Sequence, residues 1–223
     1  MYFQVSAALL IIGLALFMAY ACLLTYSNAR LGTVERCHLR NSFPYNFYMN
    51  VSLPTRILLY ALLLIASLTT MVGQCFFFLS FSNPYFLCLA IVCPLSLACL
   101  LISNLLPLTF YRSHILLAAV GFFITSLSGL LFAFSNLVVG SSIIEGNLCQ
   151  PIQIVIGVLS GILLLAMFNP KLMNWYKMEK TEENGKTYYV KPKLNFFALY
   201  EWLFLFSHYI FSFLLFLNVI VTQ

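Results

Sequence analysis

The segment from Phe196 to Val221, FFALYEWLFLFSHYIFSFLLFLNVIV, decides the fold of this chain. A helix needs about 20 mostly apolar residues to cross the hydrocarbon core of a bilayer, and this segment is longer than that. Backbone polar groups inside lipid must be satisfied within the segment itself, which favours a helix. The segment is therefore predicted to be a transmembrane helix that carries two ionisable side chains, Glu201 and His208.

Five more apolar runs precede this segment. They extend over Val5 to Tyr26, Ile57 to Ser80, Tyr85 to Leu106, Ile115 to Val139 and Ile152 to Phe168. The sequence thus predicts an all-α polytopic membrane helix bundle of about six transmembrane helices, which forms one domain over residues 1–223. The turn residues Phe81 to Pro84 are expected to join the second and third helices as an antiparallel hairpin. Pro94 is expected to kink the third helix.

Composition excludes an ordinary soluble domain. The 223 residues are 62% hydrophobic and only 8% charged, whereas soluble domains carry about 25% charged residues. The net charge of +5 comes with no long basic run and no basic-aromatic repeat, so nucleic acid is not an expected partner. Membrane lipids are the expected partners, and other membrane proteins are a second class.

The orientation of the chain in the membrane stays open. All Lys and Arg residues lie in or beside the first, third and fifth loops, whereas the only charged residue in the other loops is Glu145. The positive-inside rule places the basic loops in the cytosol and both termini outside. Asn50 begins an Asn-Val-Ser glycosylation sequon in the first loop, which would be used only in the opposite orientation.

Glu201 and His208 are functional candidates because ionisable groups inside a membrane are costly. Helical spacing puts Glu201, His208 and Ser212 on one face, which is expected to look into the bundle. One interpretation is a proton relay or a lipid headgroup contact. The other, which we favour, is that Glu201 reaches water near the interface while His208 hydrogen-bonds a neighbouring helix.

His114, beside Arg112 at the start of the fourth span, is a further candidate, although an interfacial anchor is the favoured role. Gln74, Ser103 and Asn104 are expected to bridge helices rather than to contact a substrate. The remaining small and sulfur-containing residues are interpreted as packing residues. Gly157 and Gly161 indicate close helix packing, within the chain rather than between chains, and Cys37 and Cys149 are expected on opposite sides of the membrane, unpaired.

Templates for metal binding and catalysis are missing from the sequence. His38 follows Cys37, but no second ligand pair with zinc-site spacing is present. The chain contains no Asp, so paired carboxylates would depend on scattered Glu residues. We therefore expect no metal, no cofactor and no catalytic residue, and an enzyme is disfavoured.

From the fourth span onward the chain resembles the six-span DRAM family of damage-regulated autophagy modulators and their Frag-type and Sfk-type relatives. The resemblance lies in the start of the fourth span, His114 to Phe123, and in the Glu-aromatic segment Phe197 to Tyr209. Phe43-Pro44-Tyr45 is similar to a first-loop segment of the family, but the acidic residue that follows it there is absent. The family is usually drawn with cytosolic termini.

The resemblance implies a non-enzymatic protein of the endolysosomal or plasma membrane that acts in autophagy, lysosomal regulation or lipid organisation. Glu201 and His208 carry over as family-like residues without an assigned role. The alternative is a small transporter, or a subunit of one, that uses the Glu201 and His208 face. An intramembrane lipid-modifying enzyme is the third hypothesis.

Overall fold

The structure is a computed structural model that describes residues 2–31, 37–39, 42–49, 51–106, 110–139, 148–169, 179–183, 186–190 and 194–222. Asn50 of the predicted sequon and Glu145 lie outside the described residues. In chain order the elements are α1 (Tyr2–Ala29), α2 (Pro44–Met49), α3 (Leu53–Leu79), α4 (Pro84–Leu105), α5 (Tyr111–Ala133), α6 (Ser135–Val139), α7 (Gln150–Met167), β1 (Glu179–Glu183), β2 (Lys186–Val190) and α8 (Phe196–Val221).

Six of these helices, α1, α3, α4, α5, α7 and α8, are long and apolar enough to cross a membrane. The predicted all-α membrane bundle is confirmed. The fourth span ends earlier than predicted, because α5 stops at Ala133 and the short α6 continues to Val139. Between α7 and α8, β1 and β2 pair as an antiparallel hairpin, which the sequence did not predict.

Asn83 and Pro84 form the predicted tight turn between α3 and α4. The Asn83 side chain accepts a hydrogen bond from the Tyr85 amide at 2.8 Å, and Pro84 occupies the first turn of α4. This is the usual arrangement at a helix start. Amide protons in the first turn have no acceptor within the helix, so a side chain can accept one of them, and a proline there costs no helical hydrogen bond. The predicted α3–α4 hairpin is confirmed by the contact between the two helices.

Pro94 lies inside α4 without ending it. Proline has no amide proton, so the carbonyl four residues earlier, at Ala90, loses its helical donor. The Cys75 thiol on α3 lies 3.2 Å from that carbonyl oxygen and donates to it. A neighbouring helix thus satisfies the group that proline frees, which is how proline is tolerated in transmembrane helices.

The helix α7 lies at the edge of the bundle and packs mainly on α5. It buries only four side chains, those of Gln153, Ile156, Ser160 and Leu163. A Cβ atom added at Gly157 would lie 2.7 Å from the Ala133 side chain on α5. The close approach at Gly157 therefore lies within the chain, as predicted. The seven cysteines, Cys37 and Cys149 included, are free thiols.

Candidate functional site

The polar face of α8 is turned into the bundle. Glu201, Leu205 and Ser212 are fully buried, and His208 is 1% exposed. The stripe nevertheless divides into two separate sites, because seven residues of helix separate Glu201 from His208 by about 10 Å along the axis. Each residue has its own partners from other helices.

Glu201 pairs with His114 of α5. The Nε2 atom of His114 lies 2.8 Å from Oε1 of Glu201, and both side chains are fully buried. The contact is an ion-pair distance only, because neither carboxylate oxygen of Glu201 and neither ring nitrogen of His114 makes a hydrogen bond among the described residues. We call these two residues the Glu201–His114 pair.

The burial of the Glu201–His114 pair corrects two expectations. His114 was expected to anchor the protein at the membrane interface, and Glu201 was expected to reach water. Both are wrong, because α5 begins at Tyr111 and places His114 one turn inside the bundle, facing α8. Arg112 and Ser113, which precede His114 at this end of α5, are exposed instead.

Acceptor groups and an aromatic ring surround His114. The backbone carbonyls of Ser103 and Leu106, at the end of α4, face its imidazole. Carbonyls in the last turn of a helix lack a partner within that helix and carry partial negative charge. The Phe43 ring lies edge-on to the imidazole, with 5.3 Å between ring centroids and an interplanar angle of 89°. The imidazole thus has oxygen atoms as neighbours on two elements and an apolar cover from the first loop.

Ser103 and Asn104 do not bridge helices through hydrogen bonds in the structure. The Ser103 hydroxyl and the Asn104 amide both donate to the Leu100 carbonyl of their own helix, at 2.8 and 2.7 Å. The prediction for these two residues is therefore wrong. The Oδ1 atom of Asn104 is buried and has no hydrogen-bond partner in the described part of the chain.

Residues 42–48 of the first loop cover this end of the bundle, and we call them the loop-1 plug. Phe43, Phe47 and Tyr48 are buried. The Ser42 carbonyl accepts a hydrogen bond from Nε1 of Trp202 at 3.0 Å, next to Glu201 in the sequence. The plug is thereby fixed to α8 at its first residue.

The other end of the loop-1 plug is fixed to α1. The Tyr48 hydroxyl lies 2.6 Å from that of Tyr20. Burial raises the pKa of the Tyr48 phenol well above its usual value, so this contact is a hydrogen bond between neutral groups. The plug was not predicted from the sequence, where the Phe43-Pro44-Tyr45 segment stood out only for its family resemblance.

His208 lies in a second site, the His208 network, formed with Gln74 of α3, Ser96 of α4 and Ser212. Its Nε2 atom lies 2.5 Å from the Ser96 hydroxyl oxygen, whose own proton goes to the Cys93 carbonyl. Nε2 is therefore the donor, and Nδ1 accepts from the Gln74 amide at 3.3 Å. The same amide donates to Ser212 at 3.0 Å. Both ring nitrogens of a neutral imidazole are thus satisfied, and Gln74 bridges α3 and α8 as predicted.

The two sites differ in the chemistry they allow. The Glu201–His114 pair can exchange a proton between its members, whereas the His208 network joins three helices through neutral hydrogen bonds. A metal site needs at least three protein ligands. Within the described ranges, no group of three His, Cys, Asp or Glu side chains could hold a metal ion.

The six apolar helices, with His114, Glu201 and His208 buried between them, define an integral, multi-pass membrane protein. No protein-family model, curated protein or solved structure matches the chain.

Proposed function

We propose that this chain is a non-enzymatic membrane protein that organises membrane lipid. We further propose that it acts in autophagy or lysosomal regulation, in the endolysosomal or the plasma membrane. The pathway and the membrane are supported by the resemblance to the DRAM family in His114 to Phe123 and Phe197 to Tyr209. The interaction with lipid is supported by a groove on the side of the bundle.

This lateral groove lies between α5, α7 and α8 and has a volume of about 240 Å³. Its lining is formed by Thr125, Ile156, Leu159, Ser160, Ile162, Leu163, Ala166, Leu203, Ser207, Ile210, Phe211 and Leu214. The hydroxyl protons of Thr125 and Ser207 are donated to carbonyls of their own helices. The groove thus offers mainly apolar walls, which suit an acyl chain.

The lining of the lateral groove also favours a role without catalysis. It contains no acidic or basic side chain, and Glu201 pairs with His114 elsewhere in the bundle. A lipid in the groove would meet no general acid or base. The groove can hold lipid but has no ionisable group with which to modify it.

Filling the groove tests the proposal. Ser207→Phe places a large ring in the groove, so we expect the purified protein to retain less co-purifying phospholipid per molecule than the parent. Ala19→Phe on the exposed side of α1 adds a ring of the same kind to another lipid-facing surface and should leave the phospholipid content unchanged. The measurement is lipid mass spectrometry after matched detergent washes, and equal retention by Ser207→Phe and the parent would refute the lipid role of the groove.

Proton-coupled transport is a second candidate, favoured by the buried Glu201–His114 pair. The structure associates Glu201 with His114 rather than with His208. Transport should therefore collapse in Glu201→Gln and persist in His208→Gln. Proton flux into liposomes, driven by a pH gradient, measures the difference. A lipid-organising protein would show no flux in any variant and would keep its cellular location.

A further inference from the structure

A second cavity lies at the end of the bundle that carries the basic loops. It has a volume of about 600 Å³ and lies between the last turns of α1, residues 37–39 of the first loop and the start of α8. We call it the interfacial cleft. This volume falls within the range of pockets that hold a small molecule or part of a lipid.

Hydrogen bonds fix the walls of the interfacial cleft. The Asn28 amide donates to the Cys37 carbonyl at 2.8 Å, and its oxygen accepts from the Cys37 amide at 2.9 Å. The Trp202 indole is held by the Ser42 carbonyl on the opposite wall. The chain's own hydrogen bonds thus hold the walls in place, which lowers the ordering cost of binding.

The side chains of the cleft are arranged for an amphipathic ligand. Leu24, Phe47, Trp202 and Phe206 supply apolar surface. The polar side chains are those of His38, of Thr25, which donates to the Ala21 carbonyl, and of Asn28, which is bonded to Cys37. His38 is exposed at the end of the cleft that lies beyond α1. An acyl chain suits the first wall, and a hydrogen-bonding headgroup suits the second.

The sequence places a net positive charge at this end, in the loops rather than in the lining of the cleft. The 11 Lys and Arg residues of the chain all lie in or beside the three loops at this end, together with four loop acids, whereas the other loops carry only Glu145. Basic residues beside a membrane attract anionic lipid. From this charge and the shape of the cleft, we propose that the interfacial cleft binds an anionic phospholipid through its headgroup and the upper part of its acyl chain. The proposal stands whether or not the lateral groove holds lipid, because the two cavities share no lining residue.

Trp202 provides a direct probe of the cleft. Trp175 is the only other tryptophan of the chain, so Trp175→Phe makes Trp202 the single fluorophore. Bromine atoms on the acyl chains of a lipid quench tryptophan on contact. The experiment compares dibrominated phosphatidylglycerol with dibrominated phosphatidylcholine in phosphatidylcholine vesicles. We expect the anionic lipid to bind next to Trp202 at least about fivefold more tightly, because each basic residue near a membrane surface contributes a preference of about that size.

Three further variants in the Trp175→Phe background test the site. Thr25→Phe fills the cleft, and His38→Glu adds a negative charge to its lining, so both should reduce the preference. Ala19→Phe on the other side of α1 should keep it. His38→Glu changes an exposed side chain and remains informative if Thr25→Phe fails to fold.

Two results would overturn the proposal. One is equal quenching by the two lipids in the parent, and the other is a preference that Thr25→Phe and His38→Glu leave intact. Inorganic phosphate at constant ionic strength separates the two sources of phosphate. Loss of the preference in its presence would assign the cleft to free phosphate and refute the lipid, whereas persistence supports the lipid.

Discussion

The two polar sites along α8 accommodate buried polar side chains in different ways. The His208 network is neutral, and its imidazole has a hydrogen-bond partner at each ring nitrogen. The Glu201–His114 pair joins two ionisable groups at ion-pair distance, and neither its carboxylate oxygens nor its ring nitrogens make a hydrogen bond in the described part of the protein. In the His208 network, the atom without a partner among the described residues is Oε1 of Gln74. Both sites are buried, so the difference lies in their chemistry rather than in their exposure to water.

Replacing one residue should cost more stability at the Glu201–His114 pair than in the His208 network. A buried ion pair that loses one member leaves an uncompensated charge, whereas a neutral network that loses one member leaves an unsatisfied dipole. The loop-1 plug contacts the first site through Phe43, and the second site lies about 10 Å deeper along α8. Variants at the two sites should therefore lower the free energy of unfolding by different amounts.

Breaking the Glu201–His114 pair should have the largest effect. His114→Leu leaves the Glu201 carboxylate buried without its partner, so the free energy of unfolding should fall by about 3–5 kcal/mol. The double variant His114→Leu/Glu201→Leu should recover most of that loss, since apolar replacement of a whole buried pair is often neutral. Titration with sodium dodecyl sulfate in mixed micelles measures both. A double variant that is less stable than His114→Leu would contradict the pairing.

Removing the imidazole of the His208 network should cost less. His208→Leu loses its contacts with Ser96 and Gln74, each worth about 0.6 kcal/mol on average between membrane helices, so we expect a loss of about 1–2 kcal/mol. Gln74→Leu and the double variant complete a cycle whose coupling energy should be close to one such bond. A loss as large as that of His114→Leu would remove the distinction between the two sites.

Replacing the Phe43 ring of the loop-1 plug should change the reactivity of His114 but not that of His208. Phe43→Leu keeps the apolar character and should cost less than about 1.5 kcal/mol. It removes the ring that lies against His114, so His114 should react faster with diethyl pyrocarbonate. Mass spectrometry of the modified peptides gives the rates, with the exposed His38 as reference and His208 as a control that should not change. Equal acceleration at His114 and His208 would show general loosening of the bundle instead.

The smallest expected effect is that of Ser212→Ala. Ser212 accepts one hydrogen bond from Gln74, and its loss should lower the free energy of unfolding by about 0.6 kcal/mol. Ser207→Ala is the matched control on the same helix, because that hydroxyl bonds only within α8. Its change in stability should be smaller than that of Ser212→Ala, and the reverse order would argue against the role of Ser212 in the network.

The spans could be predicted from the sequence because hydropathy and length are local properties. Phe196–Val221 was predicted with the bounds that α8 has, and the Asn83-Pro84 turn follows from the chemistry of its own residues. The β1–β2 hairpin was missed, since its strands are short and polar. The same local information shows which α8 side chains share a face, but not which helix each one meets.

Local sequence patterns could not predict which residues on other helices contact Glu201 and His208. Glu201 was grouped with His208 because both lie on α8, whereas its partner is His114 on α5. A signal for that pairing existed, since α5 and α8 both begin at the end with the basic loops and both residues follow within two turns of the helix start. Ser96 gave a weaker signal, a hydroxyl just after Pro94 in an apolar run.

The bond from Cys75 to the Ala90 carbonyl couples the residue choice at position 75 to that at position 94. A donor at position 75 satisfies a backbone carbonyl only because Pro94 has removed the usual one. In a protein with an ordinary residue at position 94, that carbonyl is already bonded and position 75 can take any side chain of suitable volume. In descendants of this chain, the two positions should therefore be substituted together, with the cysteine giving way to an alanine or valine once the proline is lost.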